Sequence, residues 1–300
     1  MGERRPHIAI IVVTWNSESE IGELVESLRP VAFDGEVDLI VVDNDSSDGT
    51  VARVRATDPK AVIVQTGRNA GYAAAINAGM ARAGDVDAYL LLNPDMRLES
   101  GSVRPLVDAL RSPGVGIVVP RLVDQHGTLR HSLRRSPTIL RAWGESVLGG
   151  DRAGRFTALG EVVTRPEVYE TRTRADWATG ASMLISRECA NAVGPWDETY
   201  FLYSEETDFA LRAGDAGFAL LFVSDSEFVH HEGESHESAA LFMLLTRNRV
   251  KLYASRHGRV RTSMFWLAVF AGELVRSRRP TRRAAVRALL GRTDGMAAPS

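Results

Sequence analysis

Four apolar runs in the first hundred residues each lead into residues that can bind or react. Residues 8–13 run into Thr14-Trp15-Asn16, and residues 37–42 into Asp43-Asn44-Asp45-Ser46-Ser47-Asp48-Gly49-Thr50. Residues 61–64 lead to Arg68-Asn69-Ala70-Gly71-Tyr72, and residues 89–92 to Asn93-Pro94-Asp95. In an open α/β sheet, ligands bind beyond the carboxyl ends of the strands, so the four ends predict one shared site. Asp43 and Asp95, each following a hydrophobic strand, read as functional, whereas Ser46, Ser47 and Asp48 read as turn and cap residues. The chain has no G-x-G-x-x-G, no G-x-x-x-x-G-K-[ST], and only two lysines, Lys60 and Lys251, which excludes a dinucleotide fingerprint and a P-loop. What remains is an acid-rich strand-end site suited to Mg2+ or Mn2+ bridging substrate phosphates. Further on, Glu205-Glu206-Thr207-Asp208 opens a helix and His230-His231 follows Phe228-Val229. Taken alone, the acids complement a helix macrodipole, and the histidines, like His126 and His236, read as polar surface or core residues.

The elements that must carry these residues follow from periodicity. The runs are continuous rather than alternating, as in strands buried on both faces. Residues 116–119 form a fifth run. Helical patterns over 19–28, 48–55, 71–83 and 102–111 separate them, which predicts right-handed βαβ units and an α/β fold with a mostly parallel central sheet flanked by helices. Residues 125–174 lack sustained periodicity and read as a long, partly mobile excursion. A second ordered block follows: a strand over 181–185, a loop into a helix over 200–216, a strand over 219–223 and a loop over 228–235. From 239 the chain reads as helical.

Composition sets the outer limits. The 300 residues are 44% hydrophobic and 25% charged, ordinary values for a globular chain. Cys189 is the only cysteine, so no disulfide framework exists. The net charge of −2 conceals an asymmetry: residues 247–292 hold thirteen Arg and Lys against the single acid Glu273, leaving 23 basic and 37 acidic residues elsewhere. A membrane helix needs about 20 apolar residues, far more than the run 264–271, and no signal peptide is expected.

In order and spacing, Val12-Val-Thr-Trp-Asn16, Val41-Val-Asp-Asn-Asp-Ser-Ser-Asp-Gly-Thr50, Arg68-Asn-Ala-Gly-Tyr72 with Asn77, and Leu92-Asn-Pro-Asp95 resemble the inverting family 2 glycosyltransferases. So do Asp176-Trp-Ala-Thr-Gly-Ala181, Gly194-Pro-Trp-Asp-Glu198, Phe201-Leu-Tyr-Ser-Glu-Glu-Thr-Asp208 and Val229-His-His231. The resemblance covers residues 8–235. Within the family, the chain looks most like bacterial rhamnosyltransferases of cell-wall and surface polysaccharide synthesis. It implies a GT-A fold with a catalytic domain over 1–238, divided into a nucleotide-sugar-binding half (1–120) and an acceptor-binding half (121–238). A helical, basic C-terminal region (239–300) follows.

The resemblance also implies roles. Thr14 and Asn16 line the nucleoside pocket, Asp43 meets the base edge, and Arg68 and Asn69 hold the nucleotide. Asp95 matches the last acid of the family's D-x-D metal motif. Asn93 replaces the first acid and contacts either metal or sugar. Glu206 matches the general base that takes the acceptor proton, with Glu205 its nearest rival and Asp208 orienting the loop or contacting the acceptor. His230 matches a metal ligand. Asp176, Trp177, Gly180, Ala181 and Trp196 belong to the acceptor side, where a flat aromatic face suits a sugar.

The implied reaction is metal-dependent, inverting transfer of a sugar to a glycan or a polyprenyl-diphosphate-linked saccharide, with L-rhamnose from dTDP-rhamnose as the first candidate and a UDP-hexose as the alternative donor. A catalytically idle scaffold subunit is the rival of another class, kept open by Asn93. The apolar stretch 263–275 and the arginines after it suit anionic headgroups, so the expected location is cytoplasmic, peripheral at the inner face of the plasma membrane. No motif supports nucleic-acid binding. A homodimer stays open, and 294–300 are expected to be disordered.

Overall fold

The structure is a computed structural model that describes residues 5–29, 35–231 and 238–291. His236, residues 232–235 of the loop expected over 228–235, and the terminus 294–300 lie outside the described residues. In chain order the elements are β1 (His7–Thr14), α1 (Glu18–Leu28), β2 (Glu36–Asp43), α2 (Thr50–Thr57), β3 (Val62–Gln65), α3 (Tyr72–Arg82), β4 (Ala88–Leu92), β5 (Met96–Leu98), α4 (Arg104–Leu110) and β6 (Val115–Val123). The second half holds β7 (Leu133–Arg134), α5 (Ile139–Leu148), α6 (Gly150–Gly154), β8 (Thr173–Ala175), β9 (Trp177–Ala178), β10 (Ser182–Ser186), α7 (Arg187–Val193), α8 (Glu205–Asp215) and β11 (Ala219–His230). Three C-terminal helices follow: α9 (Ala239–Arg256), α10 (Arg259–Val275) and α11 (Pro280–Leu289).

The central sheet runs β3-β2-β1-β4-β10-β6-β11-β5, with β8 paired to β11. Most of its paired residues lie in parallel ladders, from β3 through β4 and again at β6–β11. β6 does not sit beside β4. β10, from the second block, is inserted between them antiparallel to both, so the chain departs there from a serial βαβ order. β1 shows why its run is continuous: Ala9, Ile11 and Val13 enter the core on one face of the sheet, Ile8, Ile10 and Val12 the core on the other. Burying both faces removes any need for polar alternation.

Two expectations need correction. Residues 228–230 are not loop but the end of β11, which continues past a bulge between Val223 and Glu227 and pairs with β5. The polar stretch Ser224-Asp225-Ser226-Glu227 hides this continuation in the sequence. Ser226 is nonetheless fully buried and donates to the Ser102 carbonyl (2.7 Å). Residues 125–174 are not aperiodic either. They hold α5, capped by Thr138, whose side chain accepts from Arg141 N.

At Gly144, α5 presses on an irregular segment: a β-carbon there would stand 2.2 Å from the Leu159 carbonyl oxygen. The close approach lets Glu145 Oε1 accept from Glu161 N (2.8 Å). Gly144→Val should therefore destabilise the fold by about 3 kcal/mol, the upper range for overpacking. Urea unfolding checks this as a lower midpoint at unchanged m-value.

Candidate active site

The C-terminal ends of β2, β1 and β4 share one edge of the sheet, with Thr14 opposite Asp43 in register and Val12 opposite Leu92. Asp43 is fully buried. It accepts from Thr14 Oγ1 (3.0 Å), Ser46 Oγ (2.6 Å) and Ser46 N (3.1 Å). In this structure it braces the loop after β2. Asn16 Oδ1 accepts from Ser47 N (2.8 Å), which joins the loops after β1 and β2. Arg68 is exposed beside them, and Asn69 Oδ1 accepts from Gly71 N (3.3 Å).

Gly71 ties this sheet edge to the second half of the chain. Its φ is +87°, and a β-carbon would stand 2.4 Å from the Phe201 carbonyl oxygen, so only glycine fits. The next residue, Tyr72, donates its backbone N–H to that carbonyl (2.9 Å) and its hydroxyl to Gly180 O (3.1 Å). Burial, followed by the negative charges of Glu205, Glu206 and Asp95, drives the Tyr72 phenol upward from its ordinary value. It therefore stays protonated and acts as a donor.

Beyond Tyr72 lies a cavity of about 640 Å³ lined by Asn93, Trp177, Gly180, Ala181, Glu205, Glu206 and His230 among others. Seven positions singled out in the sequence thus come together here. Glu205 and Glu206 are the first residues of α8, preceded by Tyr203 and Ser204 at φ +69° and +77°. Only two other described non-glycine residues have positive φ, Asn16 and Asp45. All four stand in the strand-end and α8 loops around the site, a placement typical of strain held by function at about 1–3 kcal/mol each.

Glu205 Oε2 and Glu206 Oε2 are buried without a hydrogen-bond partner, as are Ser132 Oγ and Arg249 Nε on the same wall. Unpaired buried polar atoms are rare in native proteins, and here several converge on one space. Burial raises both glutamates, opposed at Glu206 by backbone N–H groups and the Arg134 charge. Glu205 rises well above the usual carboxyl range through burial and then through the charge of Glu206. Of the two, Glu205 is pushed further toward its protonated form, while backbone N–H groups and Arg134 partly offset the burial of Glu206.

Asp95 follows β4 at the same edge. Its Oδ2 lies 3.2 Å from His230 Nε2, and its Oδ1 is buried with no partner. The β5–β11 pairing, with His230 opposite Met96 and His231 N donating to Asp95 O (2.9 Å), fixes this approach. No cluster of three or more metal-ligating His, Cys, Asp or Glu side chains occurs among the described residues. One orphaned carboxylate oxygen and one imidazole do fit a hard cation that takes its remaining ligands from phosphates and water. Asn93 lines the cavity two residues away, without the charge of a first acid.

Three expected site residues are elsewhere. Trp196 is buried in the core, stacked on Phe209 at 4.5 Å, with its backbone held by Asn77 through Trp196 N to Oδ1 (2.9 Å) and Nδ2 to Trp196 O (3.0 Å). It cannot touch an acceptor. Asp176 is exposed and accepts from Ser136 N (2.6 Å) and Oγ (2.9 Å), closing the turn before α5. Asp208 binds Arg212 Nε (2.7 Å), whose other nitrogens hold Val193 O and Pro195 O; it fixes α8 to the 193–195 loop and does not line the cavity.

Other cavity residues carried no sequence signal. Arg134 lies over the Trp177 ring at 5.7 Å while the indole N–H donates to Arg135 O (3.1 Å). Arg249 of α9 binds Glu145 (2.6 Å) and Glu161 (2.8 Å), and Asn248 donates to Leu202 O and Tyr203 O. The C-terminal region is thus part of the cavity wall.

Comparison with known proteins agrees with this geometry. The profile described as Glycosyl transferase family 2 matches residues 9–173. The chain is 30% identical over 242 residues to the N-acetylglucosaminyl-diphospho-decaprenol L-rhamnosyltransferase of Mycobacterium tuberculosis, covering 76% of this chain and 77% of that protein. It is 25% identical over 261 residues to the rhamnosyltransferase WbbL of Escherichia coli, covering 81% and 94%. The mannosyltransferase PcManGT of Pyrobaculum calidifontis, solved with GDP-Man and Mn2+, shares the fold with a TM-score of 0.60 at 18% identity over 99% of this chain and 78% of that one. The strand-end site, the cavity and these matches lead to one assignment: the chain belongs to glycosyl transferase family 2 and is a glycosyltransferase with a GT-A fold.

Proposed function

We propose that the protein is an inverting, divalent-metal-dependent rhamnosyltransferase that moves L-rhamnose from dTDP-L-rhamnose to a polyprenyl-diphosphate-linked saccharide. The observation that carries the inverting reading is the unpartnered Glu206 Oε2 in a cavity that also admits His230, the partner of Asp95. The donor and acceptor come from the mycobacterial relative, whose name specifies L-rhamnose and N-acetylglucosaminyl-diphospho-decaprenol.

Glu206 takes the proton of the acceptor hydroxyl. The freed oxygen forms a bond to the anomeric carbon, the bond from that carbon to the donor phosphate breaks on the opposite face, and the nucleoside diphosphate leaves with the electron pair. Asp95 and His230 would hold the cation, which when bound offsets the charge of the departing diphosphate. Trp177 offers a ring face to the acceptor sugar, and Tyr72 holds Gly180 against Glu206. An acceptor of this kind resides at a bilayer, and the location this reading proposes is peripheral at the cytoplasmic face of the plasma membrane.

A thermal-shift panel tests the donor reading, because a ligand that binds only the folded state raises Tm. dTDP-L-rhamnose with Mn2+ should raise Tm more than dTDP, and more than UDP-glucose. A larger shift with a UDP-hexose would replace the donor, and no shift with any nucleotide would favour a scaffold.

A further inference from the structure

The exposed large apolar side chains are not scattered. Among the described residues all but Trp15 and Val37 fall within 140–156 or 245–290. On α5 they are Leu140, Trp143 and Val147, at i, i+3 and i+7, with Leu148 beside them. On α10 they are Val260, Met264, Leu267, Leu274 and Val275, spaced along one stripe separate from the buried stripe Phe265, Ala268, Val269 and Gly272. The two helices are bound together. Ser146 Oγ donates to the Ala268 carbonyl, and Arg276 Nη2 donates to Glu145 O (2.8 Å) and Ser146 O (3.0 Å). This contact sets Val147 and Leu148 next to the half of α10 that carries Leu267, Leu274 and Val275.

The charge around these residues is mostly positive. Arg152, Arg155, Arg259, Arg261, Arg278 and Arg279 are exposed on α6, on α10 or just beyond their ends. Asp151 is the exposed acid on these elements, while Glu273 is held by Arg282 (2.9 Å). A run of exposed apolar side chains on neighbouring helices marks an interaction site, and apolar side chains flanked by arginine match the acyl–headgroup boundary of an anionic bilayer. No helix among the described residues is long and apolar enough to cross a membrane. α5 also reaches the cavity, where its Glu145 shares the wall with Leu245 and Arg249 of α9.

We infer that α5 and α10 together form a shelf that docks on an anionic lipid bilayer, so that the acceptor half, and not the basic tail alone, meets the membrane. The inference rests on the lipid-linked acceptor reading for its purpose, not for its chemistry. The test is co-sedimentation of the full chain with vesicles of phosphatidylcholine, or of equal parts phosphatidylcholine and phosphatidylglycerol, containing no sugar lipid. Val147 and Val275 are 75% and 76% exposed, so glutamate at either should leave the fold intact.

The wild-type chain should bind the anionic vesicles and be weakened by salt. Val147→Glu and Val275→Glu should each lower the apparent affinity about tenfold, as expected for one lost buried valine. Their thermal shift with nucleotide should be unchanged. Absence of vesicle binding by the wild type would overturn the inference. So would a Val147→Glu chain that binds like the wild type, which would leave the tail as sole contact. A dimer in light scattering that Val147→Glu dissolves, with vesicle binding unaltered, would assign the shelf to a second copy instead. A chain that binds vesicles yet glycosylates only soluble acceptors would sink the acceptor reading and leave the shelf standing.

Discussion

Glu206→Gln should reduce sugar transfer by about 10²–10⁴-fold, the usual contribution of a positioned general base, while leaving the nucleotide-induced thermal shift intact. Glutamine keeps the shape and one acceptor oxygen but cannot take a proton. Glu205→Gln should cost far less, because burial and the adjacent Glu206 charge push the Glu205 carboxyl up and make it the poorer base of the two. The two variants together separate the two carboxylates.

The same substitution has a consequence for stability. The Glu206 carboxyl is raised in the folded protein, first by burial. Between the ordinary carboxyl value and the raised one, the folded state binds more protons than the unfolded state. Stability contributed by the protonated group is therefore present at low pH and lost as pH rises through that window. Glu206→Gln should consequently melt higher than the wild type at neutral pH and converge with it in acid. A variant that is less active and also less stable at neutral pH would mean that Glu206 is a structural anion. The unpartnered Oε2 argues against that role.

Asp95→Ala should lower kcat/KM roughly 10³-fold, since a cation at a leaving diphosphate is worth several kcal/mol. It should also abolish the part of the nucleotide thermal shift that depends on Mn2+. His230→Ala removes one ligand and leaves Asp95, so it should weaken Mn2+ dependence rather than erase it, with activity partly restored at higher Mn2+. Both variants should retain the Mn2+-independent shift, because the Thr14–Asp43–Ser46 loop contacts neither. If Asp95→Ala kept full Mn2+ dependence, the cation would lie elsewhere.

The parallel half of the fold was legible because its strands are buried on both faces and leave continuous apolar runs. β11 was read only to Val223, because the polar residues at its bulge look like loop. α5 escaped because its buried residues are the small Ala142 and Gly144 while its large apolar residues Leu140, Trp143, Val147 and Leu148 are exposed, which inverts the usual amphipathic pattern. In the site, Asp95, Glu206 and His230 stand out in the sequence only through their places in motifs; the structure brings Glu206 and His230 to one cavity and sets Asp95 3.2 Å from His230. Arg249 does not stand out, because its partners Glu145 and Glu161 lie 104 and 88 residues away and meet it only through tertiary packing. The burial of Trp196 is hidden from the sequence for a related reason. A motif shows that an aromatic is present, not which way it faces, and here the bonds from Asn77 turn it into the core.

The most direct measurement is a transfer reaction with dTDP-L-rhamnose, Mn2+ and N-acetylglucosaminyl-diphospho-polyprenol, run with the wild type and Glu206→Gln side by side and read by mass spectrometry. The wild type should add one deoxyhexose to the lipid-linked sugar, and Glu206→Gln, with its donor thermal shift preserved, should add almost none. Equal product from the two chains would contradict the role of Glu206 as base.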